Sequence, residues 1–202
     1  MLMDRQPAIF LDRDGVLIEE VGYLRRAEDL RLVPGATDAI RRLNEHGLPV
    51  VVVTNQSAVA RGLCTEADVA TIHATLAKQV QQQGARIDRF YYCPHHPSEG
   101  QGAYRIVCDC RKPSAGLLHR AADDLSLSLA HSIMVGDKAS DLEAGWEAGC
   151  YTVLVLTGYG FQTQVQLKGA PRQPDHVAAH LGAAVEWLLH RSSTHRLMAK
   201  RI

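Results

Sequence analysis

Pro49-Val50-Val51-Val52-Val53-Thr54-Asn55-Gln56-Ser57 is the stretch on which the fold turns. Four consecutive β-branched residues suit a pleated strand. The run does not alternate apolar with polar, so neither face is built for water. It predicts a strand buried on both sides of a parallel sheet, ending where the chain turns polar. Parallel neighbours need crossover connections, usually helices. The flanking sequence supplies both. Apolar runs at 8–11, 89–92, 132–135 and 151–156 read as further strands, with 176–177 as an edge strand. Helical patterns lie between them. Residues 36–46 follow Pro34-Gly35 and end at Gly47. Residues 65–83 start at Thr65, a capping type, with Asp68 three positions on. Residues 114–124 follow Pro113, and residues 140–148 and 181–190 complete the set. The Gly- and Gln-rich stretch 157–174 is expected to be a long loop. Strands alternating with helices give an α/β fold with a doubly wound parallel sheet of Rossmann-like type.

The composition agrees with one soluble domain. The chain has 202 residues, 46% apolar and 22% charged, enough to bury a full core. Residues 1–190 are expected to form it, with 191–202 as a flexible basic tail carrying Arg191, Arg196, Lys200 and Arg201. Lys plus Arg and Asp plus Glu both number 22, so the net charge is zero. The basic footprint of a nucleic-acid binder is missing. No apolar run is long enough to span a membrane, and the start lacks the apolar core of a signal peptide. The expected location is the cytoplasm. A single domain with an open site needs no second subunit, so a monomer is expected.

Ligands on such sheets bind beyond the carboxyl ends of the strands, and the polar clusters fall there. Asp12-Arg13-Asp14-Gly15 follows the first strand. Carboxylates at i and i+2 share one side of an extended chain. One can attack while the other handles protons, and both can help hold a hard cation. Alone the pattern is as compatible with a surface turn. Thr54-Asn55-Gln56-Ser57 follows the valine strand and offers hydroxyl and backbone donors to phosphate oxygens, or else an N-cap. Arg111-Lys112-Pro113 supplies two cations, with Pro113 expected to start a helix and place Lys112 at its mouth. Gly136-Asp137-Lys138-Ala139-Ser140-Asp141 ends a later strand. Asp137 could complete a magnesium site with Asp12. Asp141 could brace Lys138 or a metal-bound water, or simply favour a helix N-terminus.

Three of the five cysteines cluster in Cys93-Pro94-His95-His96-Pro97 and Cys108-Asp109-Cys110. Cys-x-His facing Cys-x-Cys suits a closed, structural zinc site of Cys93, His95, Cys108 and Cys110. His96 fits the spacing less well. The competing reading is three ordinary buried thiols.

The order of the clusters carries more than any one of them. Asp-x-Asp, then Thr, then Lys, then Gly-Asp-x-x-x-Asp, each at a strand end or helix mouth, resembles the haloacid dehalogenase superfamily of phosphatases. The resemblance covers residues 8–160. It implies that Asp12 attacks phosphorus, and that Asp14 protonates the leaving oxygen and then activates water. It further implies that Thr54 and Lys112 hold the transferring group, with magnesium on Asp12, the backbone carbonyl of Asp14, and Asp137. Only 39 residues separate Asp14 from Thr54, and 57 separate Thr54 from Lys112. The expected helices, strands and zinc loop fill them, so no cap domain is expected. The zinc loop and the runs Phe10-Leu11-Asp12-Arg13-Asp14-Gly15, Ala60-Arg61-Gly62 and Tyr91-Tyr92-Cys93-Pro94-His95 are similar to members that remove the C7 phosphate of a heptose 1,7-bisphosphate. Those members serve the synthesis of nucleotide-activated heptose for lipopolysaccharide or other surface glycans. The match implies substrate contacts from Arg13, Glu19, Glu20, Val21, Gly22, Asn55, Gln56, Ser57, Arg111 and Lys138. Val16 and Val21 depart from it, standing where Thr and His are common. Histidinol-phosphate phosphatases are similar in the same motifs. A cationic monophosphate favours an acidic pocket, and Arg61, Arg111 and Lys138 lean the other way. A non-catalytic zinc-stabilised interaction module is the alternative of another class, against which the intact catalytic set argues.

Overall fold

The computed structural model describes residues 5–194. Six parallel strands form one sheet: β1 (Ile9–Leu11), β2 (Val50–Asn55), β3 (Arg89–Cys93), β4 (Ile133–Gly136), β5 (Tyr151–Val155) and β6 (His176–Ala178). Their order is β3-β2-β1-β4-β5-β6. The chain winds one way from β1 to β3, then returns to β4 on the other side of β1. The sheet therefore has its switch point between β1 and β4, with Ile9 opposite Ile133 and Leu11 opposite Val135.

The valine run is buried throughout, and its alternate side chains enter two different cores. Val50 and Val52 pack on one face with Ile9, Leu11, Ile133, Val135, Val153 and Val155. That face is covered by α1 (Ala36–Glu45), α2 (Glu66–Gln82) and α6 (Leu181–Thr194), through side chains such as Ile40, Leu76 and Val185. Val51 and Val53 pack on the other with Phe10, Tyr91 and Met134, beneath α3 (Gly116–Leu125) and α4 (Ala139–Glu147). This is why the run cannot alternate in polarity.

The cap expected at Thr65 is present. Thr65 Oγ1 accepts from the Asp68 amide at 3.2 Å, and Asp68 Oδ2 accepts from the Thr65 amide at 2.8 Å. Three expectations need correction. Residues 157–174 are not one long loop, because α5 (Gly160–Gln166) lies inside them. This short helix is held by bonds to the β4 end described below rather than by an apolar stripe, so periodicity does not reveal it. The helix after Pro113 begins three residues later, at Gly116. Ser114 N donates to Arg111 O and Ala115 N to Glu147 Oε2, so these amides are tied in a turn before the helix starts. The last helix continues past 190 to Thr194. The rest of the basic tail, with Arg196, Lys200 and Arg201, lies outside the described residues.

Between Gly15 and Pro49 the described chain holds a loop, one 3-10 turn and α1. Between β2 and α3 it holds α2, β3, the cysteine loop and another 3-10 turn. Among the described residues, no helix is long and apolar enough to cross a membrane.

Candidate active site and metal loop

The switch point opens into a cavity of about 630 Å³. Asp12 leaves β1 on its floor, its amide held by Val135 O at 3.0 Å. Lys112 Nζ lies between two buried carboxylates, 2.9 Å from Asp12 Oδ1 and 2.6 Å from Asp141 Oδ1. It also donates to Val53 O at 2.8 Å. Burial pushes the Asp12 carboxyl up, but Lys112, Lys138 and hydrogen bonds from Lys112 and the Arg13 amide outweigh it. Asp12 is held below the ordinary carboxylate range. Burial likewise works against the Lys112 charge, and Asp12 and Asp141 overcome it, so the ammonium is retained. Asp141 therefore braces Lys112. Of Lys138 it holds only the backbone, Oδ2 accepting from the amide at 3.0 Å. Asn55 fixes Lys112 from the other side. Its Nδ2 donates to Lys112 O at 2.9 Å and its Oδ1 accepts from Lys112 N at 3.1 Å. The Asn55 side chain thus holds the lysine backbone, while Asn55 also lines the cavity.

Asp14 sits beside Asp12 on the cavity wall, half-buried, within a bonded network. Arg13 Nη2 donates to Asp14 Oδ1 at 3.0 Å and to Gln56 Oε1 at 2.8 Å. Gln56 Nε2 donates to Asp14 Oδ2 at 3.0 Å and to Thr54 Oγ1 at 2.9 Å. The Arg13 side chain is only 1% exposed, although Arg13 is among the residues that line the cavity. Its other end, Nη1, lies 3.3 Å from Nε2 of buried His73. Burial and the Arg13 charge push His73 down to about 3, so its ring is neutral. It stacks on Phe90 at 4.7 Å.

Asp137, at the end of β4, is fully buried. Its Oδ2 accepts from the Tyr159 amide at 2.8 Å, and Thr163 Oγ1 donates to its backbone carbonyl at 2.8 Å. A Cβ on Gly15 or on Gly158, both at positive φ, would come within 2.2 Å of Oδ2. Only glycine permits the chain to pass so close. Asp137 Oδ1 accepts no hydrogen bond. The nearest cation, Lys138 Nζ, is 3.7 Å away. Burial and the Asp12 charge push Asp137 up to about 8. Carboxylate oxygens of Asp12, Asp137 and Asp141 lie within 4.8 Å of one another. Buried anions so close, one oxygen unpaired, fit a hard divalent cation and fit poorly without one.

Of the expected substrate loop, Glu20 and Gly22 line the cavity, while Glu19 and Val21 point outward. Glu20 Oε2 pairs with Lys138 Nζ at 2.8 Å, and Lys138 lies 4.8 Å above the Tyr159 ring. Ser57 and Arg111 also line the cavity. Thr54 lies beneath its floor. Arg61 does not reach it: the guanidinium stacks over Tyr23 at 5.3 Å and pairs with Glu99. The sequence reading missed Tyr23, His96, Ser140 and Tyr159 as lining residues, and Thr157, Gly158 and Thr163 as supports. For Thr157, Gly158, Tyr159 and Thr163 the signal was positional, since they follow the carboxyl end of β5, where ligand loops of such sheets lie.

The cysteine loop closes on itself. Cys93 Sγ is 3.5 Å from Cys108 Sγ, which is 3.3 Å from Cys110 Sγ. His95 Nδ1 is 3.7 Å from Cys93 Sγ and 3.4 Å from Cys110 Sγ. Ligands about 2.3 Å from a tetrahedral zinc stand ~3.8 Å apart, so the set fits. Burial pushes the Cys93 thiol up to about 11 and Cys110 upward too, so this packing suits a cation better than free thiolates. Glu66, first residue of α2, accepts from Tyr92 and Tyr104 hydroxyls, both at 2.7 Å, and pins the loop from outside. Arg111 Nη1 donates to His95 O at 3.0 Å, linking this centre to the cavity.

The sequence pattern of the family described as "Haloacid dehalogenase-like hydrolase" matches residues 9–87, and that of "HAD-hyrolase-like" matches 109–184. The chain is 44% identical over 187 residues to a D-glycero-D-manno-heptose-1,7-bisphosphate 7-phosphatase from Thermosynechococcus vestitus, covering 91% of this chain and 95% of that one. It is 44% identical over 153 residues to the D-glycero-beta-D-manno-heptose-1,7-bisphosphate 7-phosphatase of Escherichia coli K12, covering 75% and 80%. The crystal structure of a D,D-heptose 1,7-bisphosphate phosphatase from B. bronchiseptica, complexed with magnesium and phosphate, is similar with a TM-score of 0.83 and 35% identity, covering 92% of this chain and 99% of that one. Shared fold, shared sequence and near-complete coverage agree: the chain belongs to the heptose-1,7-bisphosphate 7-phosphatase family of haloacid dehalogenase-like hydrolases.

Proposed function

We propose that this chain hydrolyses the C7 phosphate of D-glycero-D-manno-heptose 1,7-bisphosphate through an aspartyl-phosphate on Asp12, in the route to nucleotide-activated heptose. One observation carries the chemistry. Asp12 is held as a carboxylate by Lys112 on the cavity floor, with Asp14 on the adjoining wall. Asp12 attacks phosphorus, and the electron pair of the breaking P–O bond goes to the C7 oxygen, which takes a proton from Asp14. Water then attacks the same phosphorus, gives its proton to Asp14, and releases Asp12 and inorganic phosphate. Each step is easier than direct hydrolysis. Lys112 screens the phosphoryl oxygens throughout. Asp12, the Asp14 carbonyl and Asp137 would hold magnesium, which when bound neutralises charge on the transferring group. Zinc on Cys93, His95, Cys108 and Cys110 would fix the loop that presents Arg111 and Lys112.

The substrate reading rests on the rim. Arg111 and Lys138 stand around an otherwise solvent-open cavity, placed for a second phosphate on the same small sugar. The test is phosphate release with magnesium from the heptose bisphosphate and from histidinol phosphate, with Asp12→Asn as blank. Preference for the bisphosphate, cleaved at C7, is expected. Preference for histidinol phosphate would keep the catalytic roles and overturn the substrate.

A further inference from the structure

We infer that Gln56 is a positioning residue for the proton-transfer group: it aims Asp14 at the leaving oxygen. The inference rests on the reading that Asp14 is the general acid, and it gives Gln56 a role besides lining the cavity.

The orientation of the Gln56 amide is settled by its partners. Its Oε1 lies 2.8 Å from Arg13 Nη2, and a guanidinium only donates, so this end must be the oxygen. The other end is therefore NH2. Its two hydrogens meet Asp14 Oδ2 at 3.0 Å and Thr54 Oγ1 at 2.9 Å. Arg13 is fixed by the same logic. His73 Nε2, 3.3 Å from Arg13 Nη1, must be the unprotonated nitrogen, which leaves the ring proton on Nδ1. A buried chain thus runs from His73 through Arg13 to Gln56, and ends on Asp14 in the cavity and on Thr54 beneath its floor.

Two consequences follow. Asp14 is gripped at both oxygens, Oδ1 by Arg13 and Oδ2 by Gln56, so its carboxyl plane is set before substrate arrives. Thr54 already accepts from Gln56 and donates to no acceptor among the described residues. Both amide hydrogens of Gln56 are committed, so it has no donor left for a substrate oxygen.

The chemistry predicts a signature that a merely space-filling residue would not leave. In the first step the Asp12–phosphorus bond forms and the bond to the leaving oxygen breaks. An alkoxide leaving group needs the Asp14 proton, whereas a p-nitrophenolate leaves as a stable anion and needs little help. Loss of Gln56 should therefore cost more with an alkyl phosphate than with an aryl one. The experiment compares kcat/KM for the heptose bisphosphate and for p-nitrophenyl phosphate in the wild type, Gln56→Met, Gln56→Glu and Asp14→Asn. Thermal unfolding checks that each is folded.

Gln56→Met, which keeps shape and removes both donors, should lose ~100-fold on the alkyl phosphate and at least ~10-fold less on the aryl one, the pattern of Asp14→Asn. Gln56→Glu keeps an acceptor for Arg13 but no donor, and should not restore the rate. Equal losses on both phosphates, no loss, or full activity in Gln56→Glu would overturn the inference. So would an Asp14→Asn enzyme without leaving-group dependence. Failure of the substrate reading looks different: the wild type then cleaves p-nitrophenyl phosphate but not the heptose bisphosphate. The Gln56 comparison proceeds on whichever alkyl phosphate it does cleave.

Discussion

Replacing Asp137 by Asn should stabilise the metal-free protein while abolishing its turnover. Asp137 is buried against Gly15 and Gly158, with Oδ1 unpaired and the Asp12 carboxylate beside it. Burial first, and the Asp12 charge second, push it up to about 8. An unfolded aspartate ionises near about 3.9. Between these values the folded state binds more protons than the unfolded one, so stability must fall as pH rises. The penalty begins near pH 4 and is complete near pH 8. At pH 7 the gap is about three pH units, or about 4 kcal/mol. Relaxation and cavity water reduce this to ~2–4 kcal/mol. An asparagine keeps the acceptor for the Tyr159 amide and can donate to Asp12. For a chain of this size 1 kcal/mol moves Tm by about 2–4 °C, so the variant should melt ~5–15 °C higher in EDTA at pH 7. The gain should be less than half as large at pH 5 and absent near pH 4. Magnesium should raise the Tm of the wild type and not that of the variant. The measurement is thermal unfolding with and without EDTA across that pH range. A variant no more stable than wild type at pH 7 without metal, or one whose gain ignores pH, would refute the reasoning.

The metal loop and the rim give two further predictions. Wild-type protein should contain about one zinc per chain, and Cys108→Ser/Cys110→Ser should contain none and unfold several kcal/mol more easily. It should also lose activity, because Arg111 is tied to the His95 carbonyl. Zinc content by elemental analysis, Tm and phosphate release check this, and full activity without zinc would contradict it. Lys138→Ala should raise KM for the heptose bisphosphate about 10-fold or more, by loss of one charge-assisted contact, and slow p-nitrophenyl phosphate hydrolysis less, through the weaker hold on the Asp12 charge. Equal effects on both substrates would place Lys138 in the chemistry instead of on the rim.

Much of this architecture could be read directly from residue patterns. The valine run announced a strand with two covered faces, and the structure shows alternate valines in separate cores. Thr65 announced its own cap because both halves of the bonding pattern lie within four residues. Most of the catalytic cluster was legible because Asp12, Asp14, Thr54 and Asp137 stand at or next to a strand end, where local sequence decides placement, while Lys112 lies in the turn before α3. What stayed hidden depends on distant partners. Helix α5 has no apolar stripe, and it is held by Thr163 and Tyr159 reaching the Asp137 end of β4. Arg13 looks like an exposed cation from its neighbours in sequence. It is buried because Gln56 and His73, 43 and 60 positions away, arrive from the turn after β2 and from α2. Arg61 was read toward the substrate, but Tyr23 and Glu99 hold it elsewhere.

The strand order also governs when the enzyme comes into being on the ribosome. β1 is made first, yet one of its edges stays open until β4 is synthesised, because Ile9 pairs with Ile133. A nascent chain released as far as Lys112 already carries Asp12, Asp14, Thr54 and the four Cys/His groups, but lacks Asp137 and Asp141. Such an intermediate exposes an apolar strand edge and cannot complete its carboxylate cluster. Phosphatase activity thus reports that the late half of the chain has closed on the early half. A truncation before β4 should behave as an aggregating fragment, not as a weaker enzyme.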